Sequence, residues 1–233
     1  TDKNTPIATG TYGSIVATNR GLAENAGGTL TVTDTVVASN TGTLMASTLT
    51  VTNAVTLTNG GVLAHSTATS STVYRLMLTA GSINVDAASS INLDGRGFRA
   101  GYTTDGAGGL TTVGASTSNA GGSHAGRGGL VAVGTATAAF DSVTQPADPG
   151  SGSGVEAGSV GLGGGYAKIT VGTLIVNGTI SANGTRVTNT GGAGGGLWII
   201  VSGSISGTGT IRANGADSNE VNNGAGGGGR IAF

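Results

Sequence analysis

"GGGYAKITVGTLIVNGTISANG" (163–184) and "GGGLWIIVSGSISGTGTIRANG" (194–215) superpose without a gap at an offset of 31 residues. The glycine triplets 163–165 and 194–196 coincide. Ile169 meets Ile200, Leu174 meets Ile205, Ile180 meets Ile211, and Asn183-Gly184 meets Asn214-Gly215. A third copy starts at "GGGRIAF" (227–233), and the "I-x-A-N-G" ending has an earlier relative in "INLDG" (91–95). A repeat of this length marks units that cannot bury a hydrophobic face alone and therefore stack on their neighbours. The N-terminal half repeats in shorter steps: "TLTVTDTV" (29–36) returns as "TLTVTNAV" (48–55), 19 residues later.

Within these repeats the apolar residues alternate. In "TLTVT", Leu30 and Val32 point one way and Thr29, Thr31 and Thr33 the other, as a half-buried strand requires. No window carries a sustained helical spacing of apolar residues, and glycine or β-branched residues interrupt each candidate. The Asn-Gly and Asp-Gly pairs at 59–60, 94–95, 177–178, 183–184 and 214–215 are turn formers. The expected fold is all-β: a parallel β-solenoid (β-helix) with glycine-rich turns and coils of 19 to 31 residues. A β-sandwich of hairpins stays open, because Asn-Gly between alternating runs also closes hairpins.

Composition agrees with small side chains and many turns. The chain has 233 residues, 47 of them glycine, and only 9% are charged against about 25% in ordinary domains. The length suits one domain or two closely joined ones. A formal net charge of −1 with no basic cluster provides no footprint for nucleic acid and no polybasic membrane surface. The most apolar run, "LWIIV" (197–201), is far shorter than the ~20 residues of a membrane helix, so no membrane insertion is expected. There is no cysteine, hence no disulfide and no thiolate metal site. The opening "TDKNTPIATG" carries no signal-peptide core, which fits a mature chain or an excised module.

Four regions follow: an N-terminal extension over 1–22, a possible donated strand; Thr/Val-rich coils over 23–95; elaborated glycine-rich coils with long loops over 96–160; and the 31-residue repeats over 161–233. "TQPADPGSGSG" (144–154) reads as an exposed loop. The stacked glycine triplets predict a stripe without side chains, where backbones approach closely. The gap-free alignment sets Trp198, the only tryptophan, in the slot of Ala167 and Ile231, at the rim of a small core.

"INLDGRGF" (91–98), "GGSHAGRGG" (121–129), the two "GGG…I.ANG" units and "GAGGGGRIAF" (224–233) occur in an order that resembles the glycine-rich repeat regions of large bacterial extracellular surface and adhesin proteins. The resemblance covers roughly 75–233. It implies an extracellular or cell-surface β-solenoid with a structural or adhesive role, and it brings no catalytic motif.

The chemistry-bearing residues are sparse. His65 and His124 are the only histidines; His124 could be paired with Asp105 or Asp141, but backbone-satisfied turn histidines explain both. Asp86 and Asp94, followed by Arg96 and Arg99, are the carboxylates that a carbohydrate-active β-helix lyase or hydrolase would need, and turn placement explains their spacing equally. No G-x-S-x-G or phosphate-loop motif is present. "NGT" at 177–179 and 183–185 matches the glycosylation sequon. Asn214, Asp217 and Glu220 are weak candidate ligands for calcium, the one cofactor considered. Thr31, Thr33, Thr50, Thr52, Thr56 and Thr58 could form an ice- or glycan-binding face, although the pattern fades after Thr58.

The expectation drawn from these features is a non-enzymatic structural protein. The last repeat stops after one strand, and an unfinished coil exposes unpaired backbone. The segment holding Ile7, Tyr12, Ile15 and Val16 could complete the last coil of another copy, at Trp198, Arg230, Ile231 and Phe233. The expected partner is therefore a second copy, joined head to tail into a fibre, with a surface glycan or receptor as a further candidate.

Overall fold

The structure is a computed structural model that describes residues 4–130, 133–155, 160–219 and 221–233. Strands β1 (Asn4–Pro6), β2 (Gly10–Tyr12), β3 (Ile15–Ala17), β4 (Leu22–Val32), β5 (Thr35–Ser39), β6 (Thr43–Thr58), β7 (Val62–Ala64), β8 (Leu76–Val85) and β9 (Ser90–Asn92) occupy the first part. After β10 (Thr103–Thr104) and β11 (Leu110–Thr111) come β12 (Gly161–Leu162), β13 (Tyr166–Val176), β14 (Thr179–Ser181), β15 (Thr185–Arg186), β16 (Gly196–Ser206), β17 (Thr210–Arg212) and β18 (Arg230–Ala232). No helix occurs among the described residues.

Fourteen strands make one sheet in which every pairing is parallel. Two small antiparallel sheets, β10 with β11 and β12 with β15, lie outside it. The pairings sort the large sheet into three columns. The first stacks 4–6, 22–24, 43–45, 62–64, 90–92, 179–181 and 210–212. The second stacks 10–12, 30–32, 49–51, 78–80, 169–171 and 199–201, with 230–232 lying on 196–198. The third stacks 15–17, 36–38, 55–57, 83–85, 174–176 and, against 173–175, 204–206. The chain visits the columns in the same order each time, so β6 alone serves all three as it bends.

Alternation along each strand turns aliphatic residues inward, where they stack on their equivalents. Leu44, Leu63, Ile91 and Ile180 form one fully buried ladder; Leu30, Leu49, Leu78, Ile169 and Ile199 form another. Each buried leucine or isoleucine contributes about 1.5–3 kcal/mol relative to an exposed one. The "INLDG" and "ISANG" segments stack as their likeness predicts, Ile91 on Ile180. The Asn-Gly pair at 59–60 turns a corner and closes no hairpin: Asn59 and Gly60 both have positive φ, and β6 pairs with β7 in parallel.

One register differs from the gap-free alignment. Between Tyr166 and Val171 the offset to β16 is 30, so Ile169 pairs with Ile199 and not with Ile200. The shift to 31 falls after Val171, where β16 places two residues, Ser202 and Gly203, opposite Gly172. Burial decides this: Ile199 faces inward and Ile200 outward. Consequently Trp198 pairs with Lys168 and Ala232, not with Ala167 and Ile231. The bulge sits at a corner where Gly81, Gly172 and Gly203 stack. A Cβ on Gly172 would lie 2.6 Å from Gly81 O, and one on Gly203 2.7 Å from Gly172 O.

All long connections leave the first column and return to the second: 65–75, 93–165, 182–195 and 213–229. The last three pack on one another as glycine rods outside the columns. Gly97 N–H donates to Gly163 O, Gly164 to Ala193, Gly122 to Gly191, Gly191 to Gly224 and Gly194 to Gly227. A Cβ on Gly191 or Gly194 would meet the 213–229 rod, and on Gly192 or Gly195 the 162–165 rod. The direction thus recurs every third residue, the period of the polyproline II helix, whose backbone makes no internal hydrogen bonds and must bond to neighbours.

Candidate functional site: the two open ends

The ladders stop at both ends of the stack. At the C-terminal end the second column's inner row ends at Ile231 (38% exposed), the third column's at Ile205 (50% exposed) and the first column's at Ile211. Val176, Ile205, Gly207, Gly209 and Ile211 surround a cleft of about 220 Å³ there. Phe233, two residues after Ile231, is 72% exposed. Beyond 196–198, the outer edge of β16 carries no strand among the described residues.

At the N-terminal end, Ile7, Ile15, Ala17, Leu22 and Ala23 line a cleft of about 270 Å³. Ile15 is buried, Ile7 and Tyr12 pack against the core, and Val16 is 63% exposed. Residues 4–17 pair in cis, β1 and β2 on β4 and β3 on β5, so in this structure the segment is the first circuit of the columns. Ile7 N–H donates to Glu24 O at 2.8 Å, and Tyr12 O–H donates to Ala8 O at 2.8 Å.

The other residues singled out from the sequence are held by specific contacts. Trp198 faces outward, with Lys168 Nζ 4.0 Å from its ring centroid, a cation–π contact. Arg230 donates from Nε and Nη2 to Phe140 O at 3.1 and 2.8 Å, tying the last strand to the glycine rods. His124 is fully buried; Nε2 lies 3.0 Å from Asp141 Oδ2, Nδ1 lies 3.0 Å from Gly194 O, and the ring packs on Phe140. Burial opposes ionisation of Asp141, but the contact with His124 and N–H bonds from Ala147, Asp148 and Ser142 outweigh it and hold the carboxyl below its ordinary value. His65, equally buried, has Nδ1 2.8 Å from Ser66 O and accepts Tyr166 N–H at Nε2; burial pushes its imidazole down to about 4.

The carboxylates considered for catalysis are engaged elsewhere. Asp86 accepts the N–H groups of Asn59 and Ala88. Asp94 accepts Asn183 N–H at 2.7 Å and its amide at 3.1 Å, and Asn183 Oδ1 in turn accepts Asn214 N–H at 2.8 Å. Asn214 therefore belongs to a corner ladder that sequence reading missed, although the aligned D-G and N-G pairs are its signal. Of the other two candidate calcium ligands, Asp217 is exposed and Glu220 lies outside the described residues. Also missed was the ion pair Arg75–Asp148 at 2.7 Å, formed across 73 residues, which no local pattern encodes.

No family model matches the chain, and neither a curated protein nor a solved structure matches it.

Proposed function

We propose that the three columns wind as a parallel β-solenoid and that the chain is a non-enzymatic structural module of an extracellular or cell-surface fibre, its copies joining head to tail. The reading rests on one observation: the columns end in uncovered isoleucines at one end and in a cleft lined by small and medium apolar residues at the other. Parallel pairing supports it, because the step from one circuit to the next can be repeated from one copy to the next without changing strand direction. A head-to-tail contact of this kind does not close on itself and extends as a filament. Low charge leaves little repulsion between copies. The alternative occupant of the open end is a further repeat of a longer chain, in which case the module serves within an adhesin.

Sedimentation and negative-stain microscopy across a concentration series test the reading. Fibres are expected from the native chain, and monomers from Ile205→Glu combined with Ile231→Glu. A native chain that stays monomeric at high concentration overturns the fibre, as do fibres that form equally well from the double variant.

A further inference from the structure

A third cleft, of about 240 Å³, lies on the flank of the columns and not at either end. Ser47 and Thr48 of β6 and Met77 of β8 form its floor, Thr48 pairing with Met77 across the sheet. One wall is the bulge of β4 between Asn25 and Thr29, where Gly27 (φ +75°) donates its N–H to Ser47 Oγ at 2.9 Å. The opposite wall is the 65–75 connection, which brings Thr72, Tyr74 and Arg75 over the sheet. The Tyr74 ring reaches to 3.9 Å from where a Gly27 Cβ would stand, so the two walls nearly touch.

We infer that this cleft binds an acidic sugar, a uronic-acid residue of a polysaccharide. Arg75 is fixed before any ligand arrives: Nε donates to Ala147 O at 3.0 Å and Nη2 to Asp148 Oδ1 at 2.7 Å, while Asp148 Oδ2 accepts Thr104 O–H. A guanidinium carries five N–H donors in a rigid fork, so donors remain for a carboxylate. No acidic residue lines the cleft, and Asp148, which pairs with Arg75, lies outside its lining; the Arg75 N–H groups not engaged by Ala147 and Asp148 are the ones a carboxylate would take. The hydroxyls of Ser47, Thr48 and Thr72 suit sugar hydroxyls, and the Tyr74 ring and Met77 thioether suit the apolar face of a pyranose. A bare phosphate would leave that ring and thioether without a partner. The volume lies below the roughly 300–1,000 Å³ of drug-sized sites, which matches a single sugar ring. The assignment is independent of end-to-end assembly, because the cleft shares no lining residue with either end.

Saturation-transfer NMR on the full chain tests it, with sodium glucuronate as the probe and methyl glucoside and inorganic phosphate as controls. Transfer to the glucuronate ring protons is expected. Tyr74→Ala should weaken binding about ten-fold, as truncating a central aromatic contact does. Arg75→Gln should bring glucuronate down to the level of methyl glucoside, with circular dichroism confirming the fold; should that variant not fold, Tyr74→Ala decides. The inference is overturned by absence of transfer to glucuronate, by transfer unchanged in Tyr74→Ala, by equal binding of methyl glucoside, or by full displacement with equimolar phosphate. Sedimentation of the same variants reads assembly separately.

Discussion

At the residue scale, a single methyl group distinguishes the glycines that hold the rods together from those that do not. A Cβ at Gly192 would run into the carbonyl of Leu162, whereas at Gly228 no atom lies within 4 Å. Gly192→Ala should therefore destabilise the protein by about 1–3 kcal/mol, the usual cost of overpacking, and Gly228→Ala should leave it nearly unchanged. Urea titration of the two variants checks the contrast. Thr41 carries the opposite burden: it is β-branched with φ 62°, while Gly60 (φ 80°) occupies the equivalent corner one circuit later. Thr41→Gly removes that strain and should stabilise by up to about 1 kcal/mol, part of the gain being lost to glycine's freedom in the unfolded chain. His65 supplies a pH dependence. Its folded value of about 4 lies below its ordinary 6.5, so between those values the unfolded chain binds the extra proton. Stability is then complete above pH 6.5 and falls as the pH drops towards 4, by about 3 kcal/mol in all. The measurement is urea unfolding at pH 7.5, 5.5 and 4.5, with the His65 ring resonances staying those of a neutral imidazole at pH 5.5. A His65 ring that titrates near 6.5 in the folded protein contradicts the assignment.

At the element scale, corners are held by side-chain ladders as well as by turn conformation. Asn183 sits in the middle of Asp94–Asn183–Asn214 and serves both neighbours. Asn183→Ala leaves Asp94 without its amide partner and Asn214 N–H without its acceptor, at a cost of about 1–2 kcal/mol. Asn214→Ala should cost little, because only its backbone takes part; thermal melts of the two variants separate the cases. The strands and their inward rows were legible from the sequence. Leu30, Leu49, Ile180 and Ile211 follow a period of two that a half-buried sheet imposes on every circuit. The register in the first half of β16 was not legible, since a one-residue bulge after Val201 leaves the strand pattern intact on either side. The rods were not legible either. Their period is three, their close contacts are made by glycines, and their hydrogen bonds go to rods about seventy to a hundred residues away, as from Gly122 to Gly191 and Gly227 to Gly122. At the candidate ends, the exposed Ile231 and Phe233 were readable from the last repeat. The cis pairing of Ile7, Tyr12 and Ile15 was not, because β1–β3 are only three residues each and carry no repeat of their own.

At the scale of the whole molecule, stability should vary along the stack. Within the columns each strand pairs only with the strands before and after it, so in the proposed solenoid the columns behave as a chain of nearest-neighbour contacts, to which the glycine rods add longer ties. β6, β8 and β13 have neighbours on both sides over most of their length. They also border the connections that feed the glycine rods. β1–β3 and β17–β18 are paired on one side only. Opening from an end removes one interface at a time, whereas opening the middle breaks two. Amide hydrogen exchange on a dilute sample should accordingly be slowest at 48–57, 77–85 and 167–176 and fastest at 10–17 and 204–212. The same measurement separates a monomeric stack from a fibre. If copies join end to end, raising the concentration covers Ile205, Ile211 and Ile231 on one copy and the Ile7–Ile15 cleft on the next. Protection at both terminal segments should then rise together, with little change in the middle. Protection that rises at one end alone contradicts a head-to-tail contact and indicates a two-fold one. Profiles that do not depend on concentration contradict end-to-end assembly.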